Sequence, residues 1–406
     1  MSSSGTELTT LDDVRVAAEV VDGVVRPTPV LRPVNLSKLA GRELVLKCEQ
    51  LQRTGSFKFR GAYRRISELD AGTEVVAASA GNHAQGVALA ASLRGLRSTI
   101  FMPETASLPK VQATRDYGAE VVLSGSFYDD AVRAAEEHAR RGAARFVPAF
   151  DDPLVIAGQG TVGLELADQA PEAETFVIAV GGGGLISGTA TALKALRPRC
   201  RVVGVEAAGA DAMGVALRAG HPVALSRVDT IADGIAVKGV SALTLAHVQK
   251  LVDDVVTVDD EAISRALILL LERAKVVVEP AAAAALAAVL AGRVGGEPGS
   301  PVGVLLSGGN VDPSLLARLI RHGLDAAGRY LLLRIVIADR PGELQRLLEV
   351  IAALGLNVID VEHHRAGVDL PIDQVEVRLT LETRDPEHRD EARHALTEAG
   401  YRTREG

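Results

Sequence analysis

The chain has 406 residues, 47% of them apolar and 24% charged, with a net charge of −8 at pH 7. That composition builds a buried core and excludes wholesale disorder, and the acidic balance argues against a general nucleic-acid or anionic-membrane binder. Two cysteines, Cys48 and Cys200, are too few for a disulfide framework and suit a reducing compartment.

Met1 to Thr10 is polar and lacks the basic and apolar regions of a secretory signal, so it reads as a frayed leader. Beyond it, short β-branched runs alternate with Ala/Leu-rich stretches. Strands are expected at Val75–Ala78, Thr99–Met102, Glu120–Leu123, Thr175–Val180, Val202–Glu206 and Val302–Ser307. Helical patterns fall between them, as at His83–Leu93, Ser187–Leu196 and Glu261–Ala274. Strands that are apolar almost throughout and separated by helices predict parallel sheets covered on both faces. They form two groups, one before about Phe150 and one after about Thr175. Two α/β lobes follow, with a ligand cleft at the carboxyl ends of the strands. Ala281 to Ala291, the longest apolar stretch, is too short for a bilayer, which needs about 20 residues. A cytoplasmic protein is expected.

Gly292–Ser300 reads as a loop inside this core and Arg321–Arg329 as its boundary. Past the boundary come a strand at Tyr330–Ala338 and a helix over DRPGELQRLLEVIAALG, with Pro341 near its first position. Strands at Leu356–Arg365 and Ile372–Glu382 and a helix at Glu387–Ala399 complete a βαββα module, a small antiparallel α+β domain. His363 and His364 are neighbours in a strand, so they point to opposite faces and do not grip one ion.

Four segments carry chemistry. In Ser56-Phe57-Lys58-Phe59-Arg60-Gly61-Ala62 a lysine sits between aromatics. Desolvation there would lower its pKa and suit a Schiff-base amine; taken alone, a surface charge explains it as well. Ser79-Ala80-Gly81-Asn82-His83 follows a strand and opens a helix, where backbone N–H groups can nest a carboxylate. A plain helix cap is the competing reading, and His83 is as readily a packed histidine as a catalyst. Gly181, Gly182, Gly183 and Gly184 link a strand to a helix without side chains, so a phosphate can approach their amides. No Gly-Lys-Ser/Thr follows, so this is not a Walker loop. Ser307-Gly308-Gly309-Asn310 ends a strand and offers a hydroxyl to a ring nitrogen, or is a second tight turn. An amine, a phosphate cradle, and partners for a ring oxygen and a ring nitrogen together match pyridoxal phosphate.

In this order, SFKFRGA, SAGNHAQG, GGGGLISG and SGGN resemble the fold-type II pyridoxal-phosphate enzymes, and within them the threonine/serine dehydratases and serine racemase. The resemblance covers residues 10–325. It implies a two-lobed, tryptophan synthase β-like α/β core over residues 1–325, the smaller lobe at about 52–155 and the larger from the remainder. It further implies that Lys58 holds the cofactor covalently, Phe57 packs near its ring and Asn82 bonds its 3-oxygen. Gly181 to Gly184, with Leu185, would hold the phosphate, and Ser307 would face the pyridine nitrogen. Ser79, Ala80, Gly81, Asn82 and His83 would receive the substrate. Residues 330–406 resemble an ACT-like regulatory domain, which implies an allosteric enzyme with a branched-chain effector such as isoleucine or valine, and a role in isoleucine biosynthesis.

The activity implied is threonine ammonia-lyase, turning L-threonine into 2-oxobutanoate and ammonia, and L-serine into pyruvate. A serine racemase or a 3-hydroxyaspartate or serine dehydratase is the alternative within the fold, and a non-catalytic amino-acid sensor the alternative outside it. Racemases of this kind carry a second serine where this chain has Ala80, and alanine cannot transfer a proton. The resemblance implies the cofactor phosphate as proton donor to the leaving hydroxyl, and the sequence itself offers no obvious acidic residue for that role. A metal site of some relatives maps onto Glu206 and Ala210, with Ala212 where a carboxylate would stand and Asp211 shifted by one; a hard cation wants more oxygens than that. Glu279-Pro280 could reach the same region or simply start a helix. A homo-oligomer, dimer or tetramer, is expected.

Overall fold

In the computed structural model, residues 7–142, 144–297, 299–326, 328–365 and 371–405 are described. Most of the expected leader, residues 1–6, lies outside them, as do residue 298 in the Gly292–Ser300 loop and residue 327 in the Arg321–Arg329 stretch. The chain divides into two compact units, Met1–Asp312 and Pro313–Gly406. Helix Pro313–Ala326 occupies much of what reads as a connector in the sequence. Its Leu315, Leu316, Leu319 and Ile320 recur at helical spacing, a pattern masked by the glycines of RHGLDAAGR.

The first unit runs through β1 (Val30–Leu31), β2 (Leu44–Cys48), β3 (Glu74–Ala78), β4 (Ser98–Met102), β5 (Glu120–Leu123), β6 (Ala144–Phe146), β7 (Thr175–Ala179), β8 (Arg201–Ala207), β9 (Asp254–Val258) and β10 (Val302–Leu306). Two sheets result. The smaller has the order β5-β4-β3-β6 and is parallel throughout. The larger has the order β1-β2-β10-β7-β8-β9, parallel except for the β1–β2 pair. All five residues of β2, β4, β7 and β10 are buried, as a sheet covered on both faces demands. The two expected groups of strands are therefore two lobes, with β1 and β2 as additions that lie early in the chain yet belong to the larger sheet, β2 pairing with β10.

β2 escapes sequence reading because Lys47 interrupts its apolar run. The structure buries Lys47 fully and pairs its ammonium with Glu165 at 2.5 Å and with the Thr28 carbonyl and Gln169 at 2.7 Å each. A paired charge can sit where an unpaired one cannot. β6 and β9 are likewise additions to the expected strands. Helices Asn82–Leu93 and Gly184–Leu196 start one and three residues earlier than expected. The expected Glu261–Ala274 helix is α-helical over Asp260–Leu269 and then widens to a π-helical turn at Leu270–Ala274, ended by Lys275 at φ 60°.

In the second unit β11 (Tyr330–Ala338), β12 (Asn357–His364), β13 (Gln374–Glu382) and β14 (Thr403–Glu405) form an antiparallel sheet in the order β12-β13-β11-β14. With helices Glu343–Ala353 and Pro386–Glu398 the element order is βαββαβ, one strand more than expected, and the arrangement is ferredoxin-like. Alternate residues of β11 and β13 are buried, which is the mark of a sheet with one covered face. Helix Glu343–Ala353 is capped by Gly342 at φ 94°, so Pro341 stands outside the cap rather than at the first helical position. The ring of His364 faces Glu362 at 3.0 Å, two residues along the same strand.

Candidate active site

Lys58 is the first residue of helix Lys58–Ile66 in the smaller lobe. The segment before it is tied to the end of β10. The Phe57 amide donates to the Ser307 carbonyl at 3.1 Å, and Ser56 bridges to Gly308. The Lys58 amine donates to the Ala149 carbonyl at 3.0 Å and stands 5.2 Å from the centre of the Phe57 ring. Burial pulls its pKa down to about 8, against the attraction of the Glu279 carboxylate.

The Ser79–Asn82 turn connects β3 to helix Asn82–Leu93, the Gly81 amide donating to the Ser79 hydroxyl at 3.1 Å. The Asn82 amide nitrogen donates to Glu279 at 2.7 and 3.0 Å, and its oxygen accepts from the Asn310 amide at 2.7 Å. His83 is buried, with Nε2 2.9 Å from the Val147 carbonyl, and burial, helped by the nearby Lys58 charge, pushes its pKa down to about 3. It is neutral at physiological pH, in a packed position.

The four glycines leave β7 and open helix Gly184–Leu196, whose cap Gly183 has φ 90°, a conformation that only glycine adopts readily. Among the described residues none accepts a hydrogen bond from the four glycine amides. A β-carbon at Gly182 would lie 2.2 Å from the Phe150 ring, and one at Gly184 2.9 Å from the Phe150 β-carbon. The loop is thus bare backbone laid against an aromatic ring, with its donors uncommitted at the positive end of a helix. Those donors fit an anionic group such as a phosphate.

Lys58, Phe57, Ser79, Ala80, Gly81, Asn82, His83, all four glycines, Leu185 and Ser307 line one cavity of about 760 Å³ between the lobes. Every residue singled out for cofactor or substrate is therefore brought together. Two salt bridges join residues of its lining, Lys110–Asp233 at 2.5 Å and Lys238–Asp129 at 2.7 Å. Among the other lining residues, Phe150 was not singled out in the sequence, and Glu279 was singled out only as a helix start or as reaching the metal candidates, whereas it lines this cavity. Glu279 brings a carboxyl group into a cavity for which the sequence offered no obvious acidic residue. It precedes the buried alanine helix Pro280–Leu290 but makes no capping bond with its side chain, which enters the cavity instead. Burial raises its pKa to about 7. The only sequence clue was a carboxylate joined to a proline at a helix start.

The metal candidates lie elsewhere. Glu206 accepts from the backbone amides of Met213 and Gly214 at 2.7 and 2.8 Å, capping helix Ala212–Ala219. Ala210 ends the short turn Ala208–Ala210, and Asp211 pairs with Arg218. Among the described residues no group of three or more His, Cys, Asp or Glu is arranged to hold a metal.

Residues 21–308 match the family of pyridoxal-phosphate dependent enzymes. An L-threonine ammonia-lyase of Thermotoga maritima is 44% identical over 398 residues, which are 97% of this chain and 99% of that protein. Among solved structures, the processed form of threonine deaminase isoform 2 from Solanum lycopersicum superposes with a TM-score of 0.72 at 36% identity, covering 78% of this chain and 90% of that one. Maize serine racemase gives a TM-score of 0.74 at 36% identity over 79% of this chain and 99% of its own.

Proposed function

Since the chain belongs to the family of pyridoxal-phosphate dependent enzymes, we propose that its cavity eliminates water from L-threonine, giving 2-oxobutanoate and ammonia. The water lost in the elimination returns when the imine product is hydrolysed, so the atoms balance. The observation that carries this reading is one cavity holding both a desolvated lysine and four uncommitted glycine amides. The threonine specificity is supported by the 44% identity to a threonine ammonia-lyase over nearly the whole chain.

When bound, the cofactor supplies a covalent link to the substrate nitrogen and an electron sink for the α-carbon. The amides of Gly181 to Gly184, with Leu185, would hold its phosphate. Phe57 would pack near the ring, and Asn82 would donate to the ring oxygen. Lys58 would anchor the cofactor and is the residue placed to take the α-proton as an amine; a pKa near 8 keeps part of it uncharged at neutral pH. Ser307 would offer the pyridine nitrogen a hydroxyl and not a carboxylate, a partner that would not hold that nitrogen protonated and would favour elimination. The Ser79–His83 turn receives the substrate carboxylate on backbone donors.

Two measurements test this. 2-Oxo acid formation should be fastest with L-threonine when threonine, serine and 3-hydroxyaspartate are compared, and Lys58→Ala should abolish both turnover and borohydride trapping of the cofactor. Similarity to a serine racemase makes racemisation the second reading. Ala80 argues against it, and chiral chromatography showing no D-serine from L-serine would exclude it.

The second unit supports a regulatory role. The Thermotoga maritima relative extends over it, and its Asp339–Leu344 turn leads from a strand into a helix start. We extend the proposal to a branched-chain amino-acid effector there, in an oligomeric enzyme serving isoleucine synthesis.

A further inference from the structure

Asparagine amides look alike at both ends, and only their partners decide which end is the donor. At Asn82 those partners form a chain. Asn310 donates one N–H to the Thr54 carbonyl at 2.7 Å, which fixes the orientation of its own amide. The same nitrogen donates to the Asn82 oxygen at 2.7 Å. On the other side Glu279 accepts from the Asn82 nitrogen at 2.7 and 3.0 Å, both of its oxygens sharing that one donor. We infer that Glu279 and Asn310 are positioning residues that lock the Asn82 amide with its nitrogen toward the ring oxygen of the cofactor.

Turned over, the amide would set its oxygen against a carboxylate and its nitrogen against another amide nitrogen, losing all three bonds. Held as it is, one N–H serves Glu279 and the second is left for the ring oxygen. The protein builds a dedicated slot for this carboxylate. Glu279 is 4% exposed, and its backbone amide donates to the Gly308 carbonyl at 3.1 Å. A β-carbon at Gly308 would fall 2.4 Å from the carboxylate and one at Gly234 would fall 3.4 Å from it. Burying a carboxylate is costly, and a helix start exposed to solvent would have used it for nothing more than a cap. Its displacement from the helix into the cavity, at one end of a fixed amide chain, is what assigns it this role.

The inference rests on the proposed contact between Asn82 and the cofactor, and a double-mutant cycle separates the two. Apoprotein is titrated with pyridoxal phosphate and followed by absorbance. Glu279→Ala should weaken cofactor binding about tenfold, the low end for a hydrogen bond to a charged group, and shift the absorbance maximum. Glu279→Gln keeps an acceptor oxygen and should restore most of that loss. In an Asn82→Ala background Glu279→Ala should cost nothing further. Asn310→Ala, which leaves the carboxylate slot filled, should behave the same way in its own cycle. Equal losses from Glu279→Ala with and without Asn82, or equal damage from Gln and Ala, overturn the positioning role. Unchanged affinity and spectrum in Asn82→Ala alone would instead remove the proposed cofactor contact itself.

Discussion

Burial lowers the Lys58 ammonium to about 8, so at neutral pH an appreciable fraction of the side chain is an uncharged amine able to attack an aldehyde. The sign of the resulting pH dependence is fixed by the protonated form being inert. In apoprotein at constant pyridoxal phosphate, the rate of covalent linkage should rise about tenfold per pH unit below the lysine pKa and level off above it. Stopped-flow absorbance from about pH 6 to about pH 9.5 would read this; a rate still climbing at the upper end would mean an ordinary, solvated lysine. His83 should add no inflection near its usual value, since burial holds it neutral down to about pH 3. Folding stability carries the same signature. Between the folded pKa near 8 and the ordinary value of 10.5 the unfolded chain binds the extra proton, so this group makes the apoprotein more stable as pH rises through that window.

The elements that carry these residues were unequally legible. The glycine loop announced itself because four consecutive glycines have few structural uses, and the structure shows why side chains are excluded there. Gly182→Ala would drive a methyl to 2.2 Å from the Phe150 ring, an overpacking that costs about 1–3 kcal/mol. The expected outcome is cofactor affinity reduced at least tenfold with near-native circular dichroism; undiminished affinity would take the phosphate away from this loop. Phe150 itself was invisible beforehand, because its partner is backbone some thirty residues away and no local pattern encodes that contact. Glu279 was noticed in the sequence but not assigned to this cavity for a related reason: at a helix start a carboxylate has an adequate local explanation.

Helix Lys58–Ile66 illustrates the same limit. Two residues beyond Lys58, the buried Arg60 guanidinium donates to the buried Glu49 at 2.8 and 2.7 Å and to the partly exposed Glu165 at 2.6 Å. Lys47 reaches the other oxygen of Glu165. Two cations and two anions thus clamp β2 and helices Lys58–Ile66 and Pro153–Gln169 together, holding the lysine-bearing helix against the larger lobe. Burial opposes ionisation of Glu49, yet the adjacent guanidinium outweighs it and holds the carboxyl below its usual range. Glu49→Ala would leave Arg60 short of a partner in the interior and should destabilise the protein by about 3–5 kcal/mol in urea unfolding. A loss under about 1 kcal/mol would mean that water or rearrangement replaces the carboxylate.

At the scale of the whole chain the two units have separate cores. The Leu331, Leu333, Ile335, Val377, Leu379 and Leu381 side chains pack with Leu347, Ile351 and Leu396 in a cluster drawn only from the second unit, and the clusters of the first unit lie wholly within it. Every residue lining the cavity belongs to Met1–Asp312. Chemistry and the second unit are therefore separable, and a chain ending at Asp312 should keep cofactor binding and turnover with threonine. If the second unit binds a branched-chain amino acid, the ligand can act only through a difference in its affinity for two states of the enzyme. Isoleucine or valine should then shift the threonine saturation curve of the full chain and leave the truncated chain unmoved. Calorimetry of the full chain against each amino acid gives the matching binding measurement. Full-length enzyme that binds neither, with saturation curves identical in both forms, would reduce the second unit to an appendage without a regulatory ligand.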